Sequence, residues 1–338
     1  MSLPVGRAAA LNFPPMALTI WTNTKFSPEA TQLLHEGLRA HKLVVAATAS
    51  TSVLSQGASD PTIATADVAF GQPDPGDCLR HAGLRWVEVS TAGYTRYDTP
   101  QFLEAFRARG SAFTNASGVF ADPCAQHLLA MMMAMGRQLL PSYRDQLNDR
   151  SWHHLERRYD SRLLTGQTVL LLGYGAIGRR LTELLAPFGM TIYALRRQSK
   201  SENSVRIVPE ADLTRVLPLA DHVVNILPAN DGTIGYVNAR RLACCRPTAR
   251  FYNVGRGNTV DQPALAEALR KGTIASAFLD VTEPEPLPPE HELWTTPNCY
   301  ITPHTAGGRH DQDETIVRHF LTNLAAFERG GSLVDRVV

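Results

Sequence analysis

Residues Thr168-Val-Leu-Leu-Leu-Gly173-Tyr174-Gly175-Ala176-Ile177-Gly178-Arg179 decide the fold. An apolar, strand-length run ends in Gly-x-Gly-x-x-Gly and continues into a helical pattern. In such a turn Gly173 permits the sharp bend, Gly175 lets the backbone approach a pyrophosphate, and Gly178 lets the helix pack closely on the strand. The helix N-terminus then offers unpaired N–H groups and its positive dipole end to phosphate oxygens. The strand–turn–helix context makes the turn from Gly173 to Gly178, with Tyr174, Ala176 and Ile177 inside it, a dinucleotide site. A helix over 179–188 closes at Gly189, and Met190-Thr-Ile-Tyr-Ala-Leu195 reads as the next strand. An NAD site carries an acid at that strand's end, roughly 20 residues beyond the glycines. Here the place holds Arg196-Arg197, with no carboxylate before Glu202. Arginines suit a ribose 2′-phosphate, so NADP(H) is the expected cofactor, with NAD(H) admissible. The competing reading, two solvated arginines at a strand end, stays open.

Bulk properties fit that reading. A chain of 338 residues is long enough for about two domains. With 33 basic and 32 acidic residues, the net charge of +1 gives no electrostatic case for nucleic acid or an anionic membrane. No apolar run has the roughly 18 residues of a membrane span, and the N-terminus lacks the pattern of a secretory signal. Residues 1–16, with Pro4, Pro14 and Pro15, read as an extension. The five cysteines form no Cys-x-x-Cys pair and are odd in number, which reads as reduced thiols and a cytoplasmic setting. The eleven histidines form no ligand cluster, so no metal is expected.

Outward from the glycine turn, strands are expected near 168–172, 190–195, 222–227, 249–254, 274–280 and 299–302. Six strands with intervening helices make a Rossmann-type doubly wound parallel sheet. Upstream, strands near 18–21, 43–47, 67–70 and 85–90 alternate with helices, the first capped by Ser27 and running to about Ala40. That is a smaller α/β domain, to which an amphipathic helix over 311–329 returns. A helix starting at Asp122-Pro123 and stopped by Pro141 carries Leu128, Leu129, Met131, Met132, Met133 and Met135, a pattern for burial all round, between domains or at a subunit interface.

Three polar residues directly follow strand ends, where ligands bind in open α/β sheets. They are Arg256 in Asn253-Val254-Gly-Arg-Gly, Glu285 in Leu-Asp280-Val-Thr-Glu-Pro-Glu285-Pro-Leu-Pro, and His304 in Thr-Pro-His304-Thr-Ala-Gly. Together with Gly-Tyr-Gly-Ala-Ile-Gly, and with Ser90-Thr-Ala92-Gly93-Tyr upstream, they resemble the D-isomer-specific 2-hydroxyacid dehydrogenases. The resemblance implies a nucleotide-binding Rossmann domain over 113–302, inserted into a flavodoxin-like substrate domain over 17–112 and 303–338. Of two Glu-Pro pairs, the family spacing of five residues after Asp280 selects Glu285 as catalytic, not Glu283. The acid that usually ends the second strand falls on Arg196, as in the NADP-preferring glyoxylate/hydroxypyruvate reductase branch.

The resemblance implies hydride transfer between a nicotinamide and C2 of a small 2-keto acid. Arg256 holds the substrate carboxylate, His304 exchanges the proton, and Glu285 favours the protonated imidazole. Ala92 and Gly93 give backbone amides to the carboxylate, Val254 and Asp280 line the nicotinamide pocket, and Leu227-Pro228 underlies the adenosine. A homodimer is expected. Trp152 reads either as a packed aromatic or as an interface residue. Two rival functions share the fold: a 3-phosphoglycerate-type biosynthetic dehydrogenase, and a nucleotide-sensing interaction protein.

Overall fold

The computed structural model describes residues 17–50, 57–196 and 205–338. Expectations at 1–16 and at Arg197 lie outside the described residues. The chain forms two compact units: one takes the chain up to Thr91 with Arg96–Ala116 and Asp313–Val338, the other Ala92–Thr95 with Ser117–Gln312.

The first unit is built on five parallel strands: β1 (Thr19–Thr24), β2 (Lys42–Ser50), β3 (Val68–Gly71), β4 (Trp86–Val89) and β5 (Ala112–Thr114). Their spatial order is β2-β1-β3-β4-β5, so the winding reverses between β1 and β3. The three-residue β5 is too short for a periodicity signal. The helix Pro28–Gly37 begins where Ser27 accepts from the Ala30 N–H, as its cap chemistry requires. The helix Gln312–Glu328 buries Phe320 against this sheet, stacked on Phe70 with ring centroids 4.1 Å apart and on Trp86 at 5.2 Å.

The second unit has seven parallel strands: β6 (Thr168–Leu172), β7 (Thr191–Leu195), β8 (Val205–Val208), β9 (His222–Asn225), β10 (Arg250–Asn253), β11 (Ser276–Leu279) and β12 (Cys299–Ile301). Their order, β12-β11-β10-β9-β6-β7-β8, is a doubly wound sheet with its reversal between β6 and β9. β6 and β9 are buried almost throughout because helices cover both faces. The seventh strand, β8, exceeds the six expected; it is an edge strand of four residues, too short to stand out.

The apolar helix departs from its expected form. It runs Ser117–Gly136, with Pro123 inside rather than at its start, and ends before Gln138, whose φ of 59° is left-handed. Pro141 therefore sits in the first turn of the next helix, Leu139–Asn148, where its missing N–H costs nothing. Nor is the helix buried all round: Cys124, Ala125, Leu128, Met132 and Met135 face the core, while Met133 is 42% exposed.

Candidate active site

The parallel strands of the second unit end at one edge, and the three polar residues stand on the loops that leave it. β10 ends in Asn253, and the chain turns through Val254-Gly255-Arg256-Gly257. Three buried polar side chains hold this turn. Asn225, ending β9, donates its amide N–H groups to Asn253 Oδ1 at 3.0 Å and to Thr259 Oγ1 at 2.7 Å. Asn253 Nδ2 and Thr259 Oγ1 both donate to the Arg256 carbonyl, at 3.1 and 2.6 Å. The flanking glycines are steric necessities, since a Cβ would lie 2.6 Å from the Leu227 carbonyl oxygen at Gly255 and 2.0 Å from the Thr282 carbonyl at Gly257.

The Arg256 guanidinium donates from Nη1 to the Gly255 carbonyl at 2.7 Å. Its Nη2 lies against the Gly93 backbone, close enough that a Cβ there would be 2.0 Å away. Burial works against this charge and lowers the guanidinium below its usual range, while the Glu285 carboxylate acts in the opposite direction.

Glu285 stands on the loop after β11, in which the Glu283–Pro284 and Glu285–Pro286 peptide bonds are cis. Gln262 clasps that loop through both ends of its amide, donating to the Glu283 carbonyl at 2.6 Å and accepting from the Glu283 N–H at 2.9 Å. Glu285 Oε1 accepts the Thr282 N–H at 3.0 Å, and Oε2 lies 2.7 Å from His304 Nδ1. Burial alone would raise the Glu285 carboxyl, but the hydrogen bonds from His304 and Thr282 outweigh it and hold the group below the usual carboxylate range. His304 adopts a left-handed φ of 54°. Its loop is fixed by Asp280, whose Oδ1 accepts from Thr302 Oγ1 at 2.5 Å and the Thr305 N–H at 2.8 Å, while Oδ2 accepts the Ala306 N–H at 2.9 Å. Asp280, expected beside the nicotinamide, thus commits both oxygens to positioning the His304 loop.

The glycine turn has the shape a dinucleotide needs. Gly173 takes a φ of 100°, and Gly175 caps the helix Ala176–Leu185 without any side-chain hydrogen bond to the first turn. A Cβ on Gly175 would meet nothing within 4 Å, so the helix N-terminus is open to a pyrophosphate. Gly178 packs its helix on Tyr174, where a Cβ would come within 3.2 Å of the ring. Ala176 and Ile177, in the helix's first turn, are half-buried. Leu227 and Val254 are buried just past β9 and β10, Pro228 is exposed, and Arg196 directly follows β7. Ala92 and Gly93 belong to the same compact unit as Arg256.

Sequence reasoning missed Asn225, Asn253, Thr259 and Gln262. The available signal was a polar residue closing an otherwise apolar strand, as in Val-Val-Asn225 and Phe-Tyr-Asn253. Among the described residues, no group of three His, Cys, Asp or Glu side chains is placed to hold a metal ion, and no helix is long and apolar enough to cross a membrane.

Residues 129–306 match the model of the D-isomer specific 2-hydroxyacid dehydrogenase NAD binding domain. A glyoxylate reductase of Korarchaeum cryptofilum is 32% identical over 73% of this chain and 74% of its own. A mouse glyoxylate reductase/hydroxypyruvate reductase is 30% identical over 75% of this chain and 76% of its own. Among solved structures, an NADPH-dependent glyoxylate/hydroxypyruvate reductase of Sinorhizobium meliloti, in complex with NADP and malonate, aligns with a TM-score of 0.71 and 26% identity, covering 95% of this chain and 97% of that one.

Proposed function

The chain belongs to the D-isomer-specific 2-hydroxyacid dehydrogenases, and from that premise we propose that it is an NADPH-preferring reductase of small 2-keto acids, glyoxylate and hydroxypyruvate first among them. The observation that carries this reading is the Glu285–His304 pair at 2.7 Å on one loop edge with Arg256. Arg256 offers a half-buried guanidinium fork to the substrate carboxylate and polarises the neighbouring carbonyl. Gly93, bare of a side chain, lets backbone N–H groups reach the same carboxylate. His304, with Nδ1 engaged by Glu285, presents Nε2 as the proton donor to the carbonyl oxygen in reduction and the acceptor in oxidation. Glu285, whose carboxyl is held below the usual carboxylate range, fixes the imidazole ring through Nδ1 at 2.7 Å. The nicotinamide, when bound, supplies the hydride to C2. Gly173–Gly178 would seat its pyrophosphate, and Arg196, standing where an NAD enzyme has an acid, would accept the 2′-phosphate.

We also read the protein as a homodimer working in the cytoplasm. Leu139, Tyr143, Leu147, Trp152, Leu155, Tyr159 and Leu163 are each more than half exposed along one stretch of chain, with Trp152 at 91%. At roughly 150–250 Å² for each of the three aromatics alone, they present several hundred Å² of apolar surface, to which the four leucines add. A stable interface needs about 800 Å² per partner.

The test is initial-rate oxidation of NADPH and NADH against glyoxylate, hydroxypyruvate, pyruvate, phenylpyruvate and 3-phosphohydroxypyruvate. Turnover with NADPH and one or two of these establishes the reductase. Tight NADPH binding without turnover of any acid would overturn it in favour of nucleotide sensing.

A further inference from the structure

We propose that Gln262 is a positioning residue for this reaction: by clasping the loop after β11 it sets the Glu285 carboxylate that orients His304. This deepens the reductase reading and rests on it.

The loop needs such a clasp. The side chains of His304 and Glu285 are 29% and 35% exposed, and an ion pair that wet contributes little to holding a chain in place. Among the described residues, no backbone group of 281–287 is hydrogen-bonded to another backbone group. Two of the loop's bonds are its own: the Thr282 N–H donates to Glu285 Oε1, and Thr282 Oγ1 donates to the Pro284 carbonyl, both at 3.0 Å. The hydrogen bonds that fix its backbone to the rest of the unit come from Gln262. Nε2 of that amide donates to the Glu283 carbonyl at 2.6 Å, and Oε1 accepts the Glu283 N–H at 2.9 Å. Glu285 stands two residues beyond the clasped one.

Gln262 is itself fixed. It opens the helix Gln262–Arg270, where Asp261 accepts the Ala264 N–H at 3.0 Å as the cap. The residue is 7% exposed, and both ends of its amide are used. A carboxamide carries a donor and an acceptor side by side, and Glu283 offers their complement in its own N–H and carbonyl. A single short connection runs from Arg256 to Gln262, and Gly257 within it lies against the Thr282 carbonyl. The connection that carries the carboxylate clamp therefore also carries the clasp on the Glu285 loop. Asn253 and Thr259 hold the Arg256 carbonyl without help from Gln262, so substitution can separate the two tasks. In sequence Gln262 reads only as the residue after a helix cap. Its partner is 21 residues further on, brought beside it by the pairing of β10 with β11.

The test is a double-substitution cycle on kcat for glyoxylate with NADPH, in wild type, Gln262→Met, Glu285→Gln and the two combined. Gln262→Met should lower kcat about 10- to 100-fold, as for a catalytic group moved out of line. KM for glyoxylate and NADPH affinity should hardly change, because Arg256 and the glycine turn keep their own supports. In the Glu285→Gln background the same substitution should cost almost nothing further, since residues that act through one group are not additive. Gln262→Glu gives a second readout. The ionised carboxylate accepts the Glu283 N–H but turns a charge on the Glu283 carbonyl, whereas the protonated acid restores the donor. Its kcat as a fraction of wild type should therefore climb as pH falls from about 8 to about 5, toward the carboxyl range. Arg256, Asp261, Glu283, Glu285 and His304 are common to both enzymes, so their titration divides out of that fraction. An equal loss in both backgrounds, or a Gln262→Glu deficit indifferent to pH, would reduce the amide to a structural prop and overturn the proposal. Wild-type kcat in Gln262→Met would overturn it as well. If Gln262→Met does not fold, the pH dependence of Gln262→Glu decides. A wild type that turns over neither glyoxylate nor hydroxypyruvate would strike the reductase reading, and this role with it.

Discussion

A side chain at position 93 has nowhere to go. The guanidinium of Arg256 occupies the space a Cβ would need, at 2.0 Å, so alanine there must push Arg256 off the carboxylate turn. Gly93→Ala should cut kcat/KM for glyoxylate by about tenfold or more, since an arginine clamp misplaced by 1 Å loses much of its effect, with the melting temperature nearly unchanged. Wild-type kinetics in that variant would show that Arg256 does not work against Gly93. Arg196 makes the second residue-scale claim. Arg196→Asp removes the donor for a 2′-phosphate and supplies an acceptor for a ribose hydroxyl, so the NADPH-to-NADH ratio of kcat/KM should drop at least about tenfold. An unchanged ratio would leave Arg196 as a solvated strand end. Both residues were singled out in sequence because each stands at a fixed place relative to a motif or a strand end. Asn253 and Thr259, which hold the Arg256 carbonyl, and Asn225, which holds those two, were not: their spacing has no period, and their partners are chosen by the sheet.

Loops do more positioning here than strands. The loop after β11 brings Glu285 out, the loop after β12 brings His304 out, and Asp280 ties the second to the first by accepting three hydrogen bonds. In Asp280→Asn one oxygen becomes an NH2 group facing a backbone N–H or the Thr302 hydroxyl, and the His304 loop must shift. The expected result is a kcat lower by about 10- to 100-fold with NADPH affinity retained, because only the proton donor is displaced. A weakened NADPH affinity with kcat intact would instead assign Asp280 to the nicotinamide pocket. Helices were less readable. Pro123 marks a helix start in sequence, yet the flanking buried residues Val119, Cys124 and Ala125 carry the helix through it. Tertiary packing outweighed the one backbone hydrogen bond that proline removes. β8 was missed because it is a four-residue edge strand with one partner, too short to show a period.

At the scale of the whole chain, the two compact units carry different optical labels. Trp21 and Trp86 are buried in the first, whereas Trp152 and Trp294, in the second, are 91% and 49% exposed. The red shift of tryptophan emission on heating therefore reports the first unit, because the other two indoles are already wet. That unit contains a buried ionic cluster. His319, on the last helix, lies 3.0 Å from Glu88 on β4 and 3.1 Å from Asp335 in the C-terminal segment. Asn323 donates to the same Glu88 at 2.7 Å, and Thr114 at 3.0 Å. Burial by itself would lower the imidazole, but the hydrogen bonds it donates to Asp335 and Glu88 outweigh it and raise it from 6.5 to about 9. A raised folded-state value means the protonated form is the stabilising one. Its contribution is complete below about pH 6.5, where the unfolded chain also binds the proton, and is lost as pH rises through about 9. The tryptophan-detected midpoint should therefore fall progressively between pH 6.5 and 9.5. In His319→Gln, which keeps the shape but cannot take the proton, that slope should flatten and the midpoint at pH 6.5 should lie below wild type. A slope that survives the substitution would move the pH dependence away from this cluster, since Glu88 and Asp335 are the two carboxylates that face the ring.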